Sequence, residues 1–157
     1  MGKIVEVLLD ETHCFRPEDS KTNFCIAIPV HRDFDSLEFI CSYEPKTLAD
    51  EDIARQSVKE GLEKYVPAEY REHYGNWRDY LPILNFVTLS VDYGERYVGC
   101  AHRHAPEQRH IISREFSSPG FFKTPAAAGA WRAVLNVHAI VSGEVRYHLQ
   151  VNGLDTV

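Results

Sequence analysis

The sequence predicts a mainly β protein: an antiparallel β-sandwich of jelly-roll type with one inserted α-helix. Three observations carry that expectation. Short apolar runs, about eight of them, are separated by turn residues along the whole chain. A single stretch, Leu48–Val66, changes to helical spacing. Two long pairs of runs, Leu84–Asp92 with Arg96–His104 and Ala130–Val141 with Glu144–Asn152, dominate the second half. A barrel closed from the same strands is the architectural alternative.

In order along the chain, Lys3–Leu9 alternates and reads as a first strand, and Glu11–Asn23, with Pro17, Asp19 and Ser20, as a loop. Phe24–Val30 is a strand that Pro29 confines to a sheet edge or a bend, because proline has no N–H for a ladder. Leu37–Tyr43 places Leu37, Phe39, Cys41 and Tyr43 on one face and Glu38 and Ser42 on the other. In Leu48–Val66 the apolar stripe is Ala54, Val58, Leu62 and Tyr65. Thr47 is the expected N-cap, with Asp50 three residues on; acids suit the helix start, and Pro67 stops it. Ala68–Pro82 is irregular and aromatic, with Tyr70, Tyr74, Trp77 and Tyr80.

Leu84–Asp92 is apolar on both faces, as a fully buried strand would be. Asp92–Glu95 turns the chain, with Gly94 free to take a positive φ. In Arg96–His104, His102 and His104 share a strand face with Cys100 and Val98, and Gly99 marks a bulge or a close backbone approach. Gln108–Ser113 is a short strand, Ser117–Gly120 a turn and Pro125–Gly129 a loop. Ala130–Val141 points Trp131, Ala133, Leu135 and Val137 one way and Val134, Asn136, His138 and Ile140 the other. Ser142-Gly143 reads as a tight hairpin turn into Glu144–Asn152, with Val145, Tyr147, Leu149 and Val151 inward and Arg146, His148 and Gln150 outward. Residues 1–157 form one domain, and the helical insertion spans residues 48–66.

A formal net charge of -6, with no local cluster of Lys and Arg, argues against a nucleic-acid partner, which needs a basic stripe. The start, MGKIVEVLLDE, has no apolar core of a signal peptide, and no run is long enough for a membrane helix. Gly2 is a poor myristoylation site because Glu6 stands where Ser or Thr is required. Cys14, Cys25, Cys41 and Cys100 form no C-x-x-C pair; Cys25, Cys41 and Cys100 sit in apolar runs and are expected as buried free thiols in a reducing, cytoplasmic setting.

The most chemical element is His102-Arg103-His104. Its spacing would present two imidazoles to a divalent metal, zinc or manganese, with His110, His138 or Asp92 as the further ligand. The structural reading has both histidines bonded to loop carbonyls or carboxylates and Arg103 paired with an acid such as Glu115. Cys100 with His102 makes a thiol–imidazole pair, but in a buried setting that disfavours a thiolate. No G-x-S-x-G, phosphate loop or dinucleotide fingerprint occurs, and Asp92, Glu95 and Glu107 read as solvated turn carboxylates. Trp77, Tyr93, Tyr97 and Phe121 or Phe122, with Arg103, are the candidates for binding a small molecule or a glycan.

The strings LNFVTLSVD, YVGCAHRH, SPGF, AGAWRAVLNVHAI and VRYHLQV, in that order, resemble the N-terminal β-sandwich domain of the CehA/McbA group of PHP-type metallohydrolases, related to carbaryl hydrolase. The resemblance covers Tyr80–Val151, and more loosely Ser42–Gln56. It implies the sandwich fold and a companion, because in that group the sandwich precedes a catalytic PHP domain that brings its own His-x-His motif and further His and Asp ligands. Those ligands are not among these 157 residues. The expectation is therefore a non-catalytic accessory module that assists a catalytic PHP domain or holds subunits of a homo-oligomer together, with no nucleic acid or membrane as partner. Its alternatives are a carbohydrate- or small-molecule-binding module, and a small metal-dependent hydrolase using His102 and His104.

Overall fold

The computed structural model describes residues 3–156, and every side chain among them except that of Tyr74; the expectation at Gly2 lies outside the described residues. The strands are β1 (Lys3–Phe15), β2 (Thr22–Val30), β3 (Ser36–Glu44), β4 (Phe86–Tyr93), β5 (Arg96–Ala101), β6 (Glu107–Ser113), β7 (Gly129–Ala139) and β8 (Val145–Asp155). They form two antiparallel four-stranded sheets, ordered β1-β8-β3-β6 and β2-β7-β4-β5. The pairing is nested: β4 with β5, β3 with β6, β2 with β7, β1 with β8. Contacts of β3 with β8 and of β4 with β7 roll this long hairpin into two layers. That arrangement is a jelly roll, as expected, and its two separate sheets exclude the closed barrel.

Alternation drives the packing. Leu37, Phe39, Leu89, Trp131, Leu135, Tyr147, Leu149 and Val151 are all at most 1% exposed and fill the space between the sheets. Each contributes about 1.5–3 kcal/mol relative to exposure. Trp131 Nε1 donates to the Ala127 carbonyl at 2.8 Å, so its indole is buried without an unpaired donor. Glu38, on the other face of β3, is buried too: Arg109 Nε and Asn152 Nδ2 donate to its carboxylate.

Several sequence expectations are corrected. Ser142-Gly143 is not a hairpin turn, because β7 and β8 lie in different sheets. Buried Asn85 sets this crossover: its Oδ1 accepts from Val141 N at 2.7 Å and Ser142 N at 3.1 Å, and its Nδ2 donates to Ser142 Oγ at 2.8 Å. The loop expected over Glu11–Asn23 shrinks, since β1 continues to Phe15 along β8 and β2 begins at Thr22. The insertion holds one α-helix, α1 (Glu51–Tyr65), capped by Asp50 and not Thr47; Asp50 Oδ1 accepts from Asp52 N at 2.9 Å and Ile53 N at 3.1 Å. Thr47 instead bridges Leu84. Of the expected apolar stripe only Ala54 and Val58 are buried, while Tyr65 is 66% exposed. Cys41 is buried, but Cys25 is exposed, because Ile26, Ile28 and Val30 take the inward positions of β2.

Three of the four sheet edges are blunted. Pro29 sits on edge strand β2, as its missing N–H requires. The segment after β6 lies along the other two: Cys100 N donates to Gly120 O and Phe122 N to Val98 O on β5, while Ser113 N donates to Phe116 O and Ser118 N to Ile111 O on β6. Gly99 (φ 153°) permits this closeness, since a Cβ there would lie 2.2 Å from Gly120 O. The expected close backbone approach at Gly99 is thus found, and so is the positive φ of Gly94 (58°).

Because strand direction alternates, the connections fall at two ends. The insertion, the β5–β6 loop and the β7–β8 crossover share one end. The β2–β3 and β6–β7 connections share the other with Lys3 and Asp155, which are paired across β1 and β8. At about 3.3 Å per residue the two ends are roughly 30 Å apart.

Candidate functional sites

The sequence-predicted histidines divide into a group of three and an outlier. β5 stops at Ala101, so His102, Arg103 and His104 lie in the following loop and not on a strand face. His102 and His104 nevertheless reach Phe86, the first residue of β4. The His104 ring stacks on Phe86 at 4.4 Å and 10°, His138 of β7 stacks on it at 4.8 Å and 25°, and His102 meets it edge-on at 5.2 Å. His102 and His138 are 5.5 Å apart and perpendicular. Lys46 Nζ lies 5.4 Å from the same phenyl centroid, held by Tyr43 Oη at 2.7 Å and the Asn85 carbonyl at 3.1 Å.

The centre of this cluster is a hydrocarbon ring. An ion shared by the three imidazoles would need that place, and among the described residues no three His, Cys, Asp or Glu side chains are arranged to hold a metal. His138 is instead tied to the sheet. Asn136 Nδ2 donates to Ser90 Oγ at 2.7 Å and to Thr88 Oγ1 at 3.1 Å, and Thr88 Oγ1 shares a hydrogen bond with His138 Nε2 at 2.9 Å. The His138 pKa is lowered first by burial against the sheet and then by neighbouring His102.

His110 stands apart on β6. It is 3% exposed, packs on Phe121 at 5.2 Å and bonds Gln108 Oε1 at 2.8 Å. Gln108 Nε2 donates to the loop carbonyls of Ala105 at 2.8 Å and Arg103 at 3.3 Å, so Gln108 Oε1 must accept from His110 Nε2–H. Burial, and then the charge of Arg103, lower the His110 pKa. Among the described residues Arg103 forms no ion pair with Glu115. Cys100 meets Asn136 Nδ2 at 4.0 Å and not His102, so the thiol–imidazole pair does not form.

The predicted aromatic platforms do not assemble. Trp77 lies in the insertion between Arg78 (4.8 Å) and Arg55 (6.0 Å). Tyr93 packs on Trp131 at 4.7 Å and donates its hydroxyl to Ala128 O at 2.8 Å. Phe121 belongs to the core, while Tyr97 and Phe122 are 54% and 63% exposed. Phe86, Lys46, Thr88 and Asn136 were not singled out as site residues. The polar residues Thr88 and Asn136 inside apolar strands were the available signal.

At the opposite end a cleft of about 630 Å³ opens beside Thr156, lined by Asp33, Asp35, Arg114, Glu115 and Phe116 among others. Asp35 accepts from the hydroxyl and amide of Thr156, which lowers its pKa. Phe116 on the rim is 58% exposed. A scan against protein-family models gives no match, and a search of curated proteins gives no significant match.

Proposed function

We propose that this chain is a non-catalytic β-sandwich module that docks on a PHP-type metal-dependent hydrolase domain, the companion its sequence resemblance implies. The observation that carries this reading is the cleft beside Thr156. In the group that the sequence resembles, the hydrolase domain follows the sandwich, and Thr156, near the end of β8, lines this cleft. The cleft joins an exposed phenyl ring to carboxylates and a guanidinium, the mixture of apolar anchor and polar rim that interfaces use. The His102-Arg103-His104 loop lies at the far end and is not this contact. The interior supports the same reading, being filled with side chains and leaving function to the surface. The test is calorimetric titration of the chain with a separately produced PHP-type hydrolase domain encoded alongside it. Saturable binding weakened by Phe116→Glu is expected; no heat of binding at any attainable concentration would overturn the reading.

A second reading, a small-molecule or glycan-binding module, is favoured by the outer face of the β2-β7-β4-β5 sheet. There half-buried Ser90 and Asn136 and exposed His138 line up hydroxyl, amide and imidazole groups beside exposed Tyr97. Such groups bond sugar hydroxyls while the tyrosine ring stacks. A glycan panel tests it: retention lost in Asn136→Ala supports this reading, and no retention removes it.

A further inference from the structure

The fold treats its histidines unequally. Among the described residues, His13 contacts Glu11, His31 contacts Glu6 and His148 contacts Asp10, so each can gain a proton beside a carboxylate. His102, His104, His110 and His138 have no such partner, and all four gather around the β5–β6 loop. The other charged groups near them are also positive: Lys46 beside Phe86, and Arg103, whose guanidinium acts electrostatically on His110. Glu44 and Glu107 line a cavity with Lys46, but among the described residues neither forms an ion pair with any of these groups. The loop itself is held lightly. Its His102 and His104 rings make ring contacts and no hydrogen bond, and its Arg103 and Ala105 carbonyls accept from Gln108 Nε2 at 3.3 and 2.8 Å. Gln108 is fixed in turn by buried His110, whose Nε2–H it accepts at 2.8 Å.

We propose that the loop over residues 102–105 is an acid-released latch, closed on Phe86 at neutral pH and lifted off it as the four imidazoles become charged. Histidine is the side chain that gains charge between about pH 8 and pH 5. A phenyl face attracts a cation, but Lys46 already lies 5.4 Å from the Phe86 centroid. Charge on His102 and on His138, whose rings are 5.5 Å apart, is mutually repulsive. On His110 the added proton enters at Nδ1, so the bond to Gln108 survives. The buried cation is relieved instead by opening, which admits water and takes Arg103 away. Burial already disfavours the charged forms of His110 and His138. The open loop therefore binds more protons than the closed one, and each such proton favours opening by up to about tenfold per pH unit. The loop lies at the end opposite the Thr156 cleft, so the latch and the proposed docking stand independently.

The test is proton NMR of the purified chain from pH 7.5 to pH 5, following the nuclear Overhauser contact between the His104 and Phe86 rings, with far-UV circular dichroism on the same samples. The contact is expected to disappear on acidification while the circular dichroism stays unchanged. His110→Gln, which cannot charge, and Arg103→Gln, which removes a neighbouring cation, should each move that loss down by about half a pH unit or more. Arg103 is exposed, so its variant decides the matter even if His110→Gln does not fold. A contact that persists to pH 5 overturns the proposal. So does a loss at the same pH in both variants, or one that comes only with loss of the circular dichroism signal.

Discussion

Replacing Asn85 with alanine should unlock the end of the sandwich that carries the insertion. Asn85 is wholly buried, and its amide makes four hydrogen bonds, to Pro45 O, Ser142 Oγ, Val141 N and Ser142 N, at 2.7 to 3.1 Å. These join the chain after β3, the start of β4 and the β7–β8 crossover. Each such bond contributes a net 0.5–1.5 kcal/mol or so, and a buried group left unpaired costs roughly 1–3. Asn85→Ala removes all four and leaves two backbone N–H groups and a carbonyl in a dry setting, so the expected loss is about 3–4 kcal/mol. For a chain of this length, each kcal/mol lowers Tm by about 2–4 °C. Urea unfolding followed by circular dichroism measures it. Ser142→Ala, which loses one partner, should cost about 1 kcal/mol by the same reasoning. A loss below about 1 kcal/mol for Asn85→Ala would show that solvent replaces the amide, and that Asn85 does not hold the crossover.

Other expectations follow from the same contacts. Gly99→Ala should cost at least about 2 kcal/mol in urea unfolding, because its Cβ meets Gly120 O at 2.2 Å and φ is 153°. Gly94→Ala, at φ 58° but with open space around it, should cost about 1 kcal/mol. The lowered pKa of His110 means that the folded state binds fewer protons than the unfolded one near pH 6. Its contribution is therefore complete above the ordinary histidine value of 6.5 and is lost as pH falls from there toward the folded value. Stability measured from pH 7.5 to pH 5 should fall less steeply in His110→Gln. His102→Ala should raise the pKa of His138 toward its ordinary value, read by NMR titration, because the burial that lowers it is reduced and the neighbouring imidazole is removed.

The layers of the fold were legible in the sequence, because period-2 alternation in Trp131–Val137 and Val145–Val151 states which side chains face inward. The crossover was not. Ser142-Gly143 has the local chemistry of a hairpin, and what sends the chain to the other sheet is Asn85, more than fifty residues earlier. The second half of β1 was missed because both its faces are polar to the eye, and only pairing with β8 makes it a strand. At the site, the sequence named His102, His104 and His138, and the fold brings them together. Their centre was invisible: Phe86 was read as one apolar residue of a buried strand, and the stacking that places a ring where an ion would sit depends on the loop beginning at His102.

The most direct measurement of the central claim is turnover by the purified chain alone, supplied with zinc or manganese and offered phosphoester and carboxylic-ester substrates. A surface-acting module with a filled interior and three histidines gathered on a phenyl ring predicts no rate above that of the free metal ion. Hydrolysis that saturates with substrate and disappears in His102→Ala or His104→Ala would contradict it.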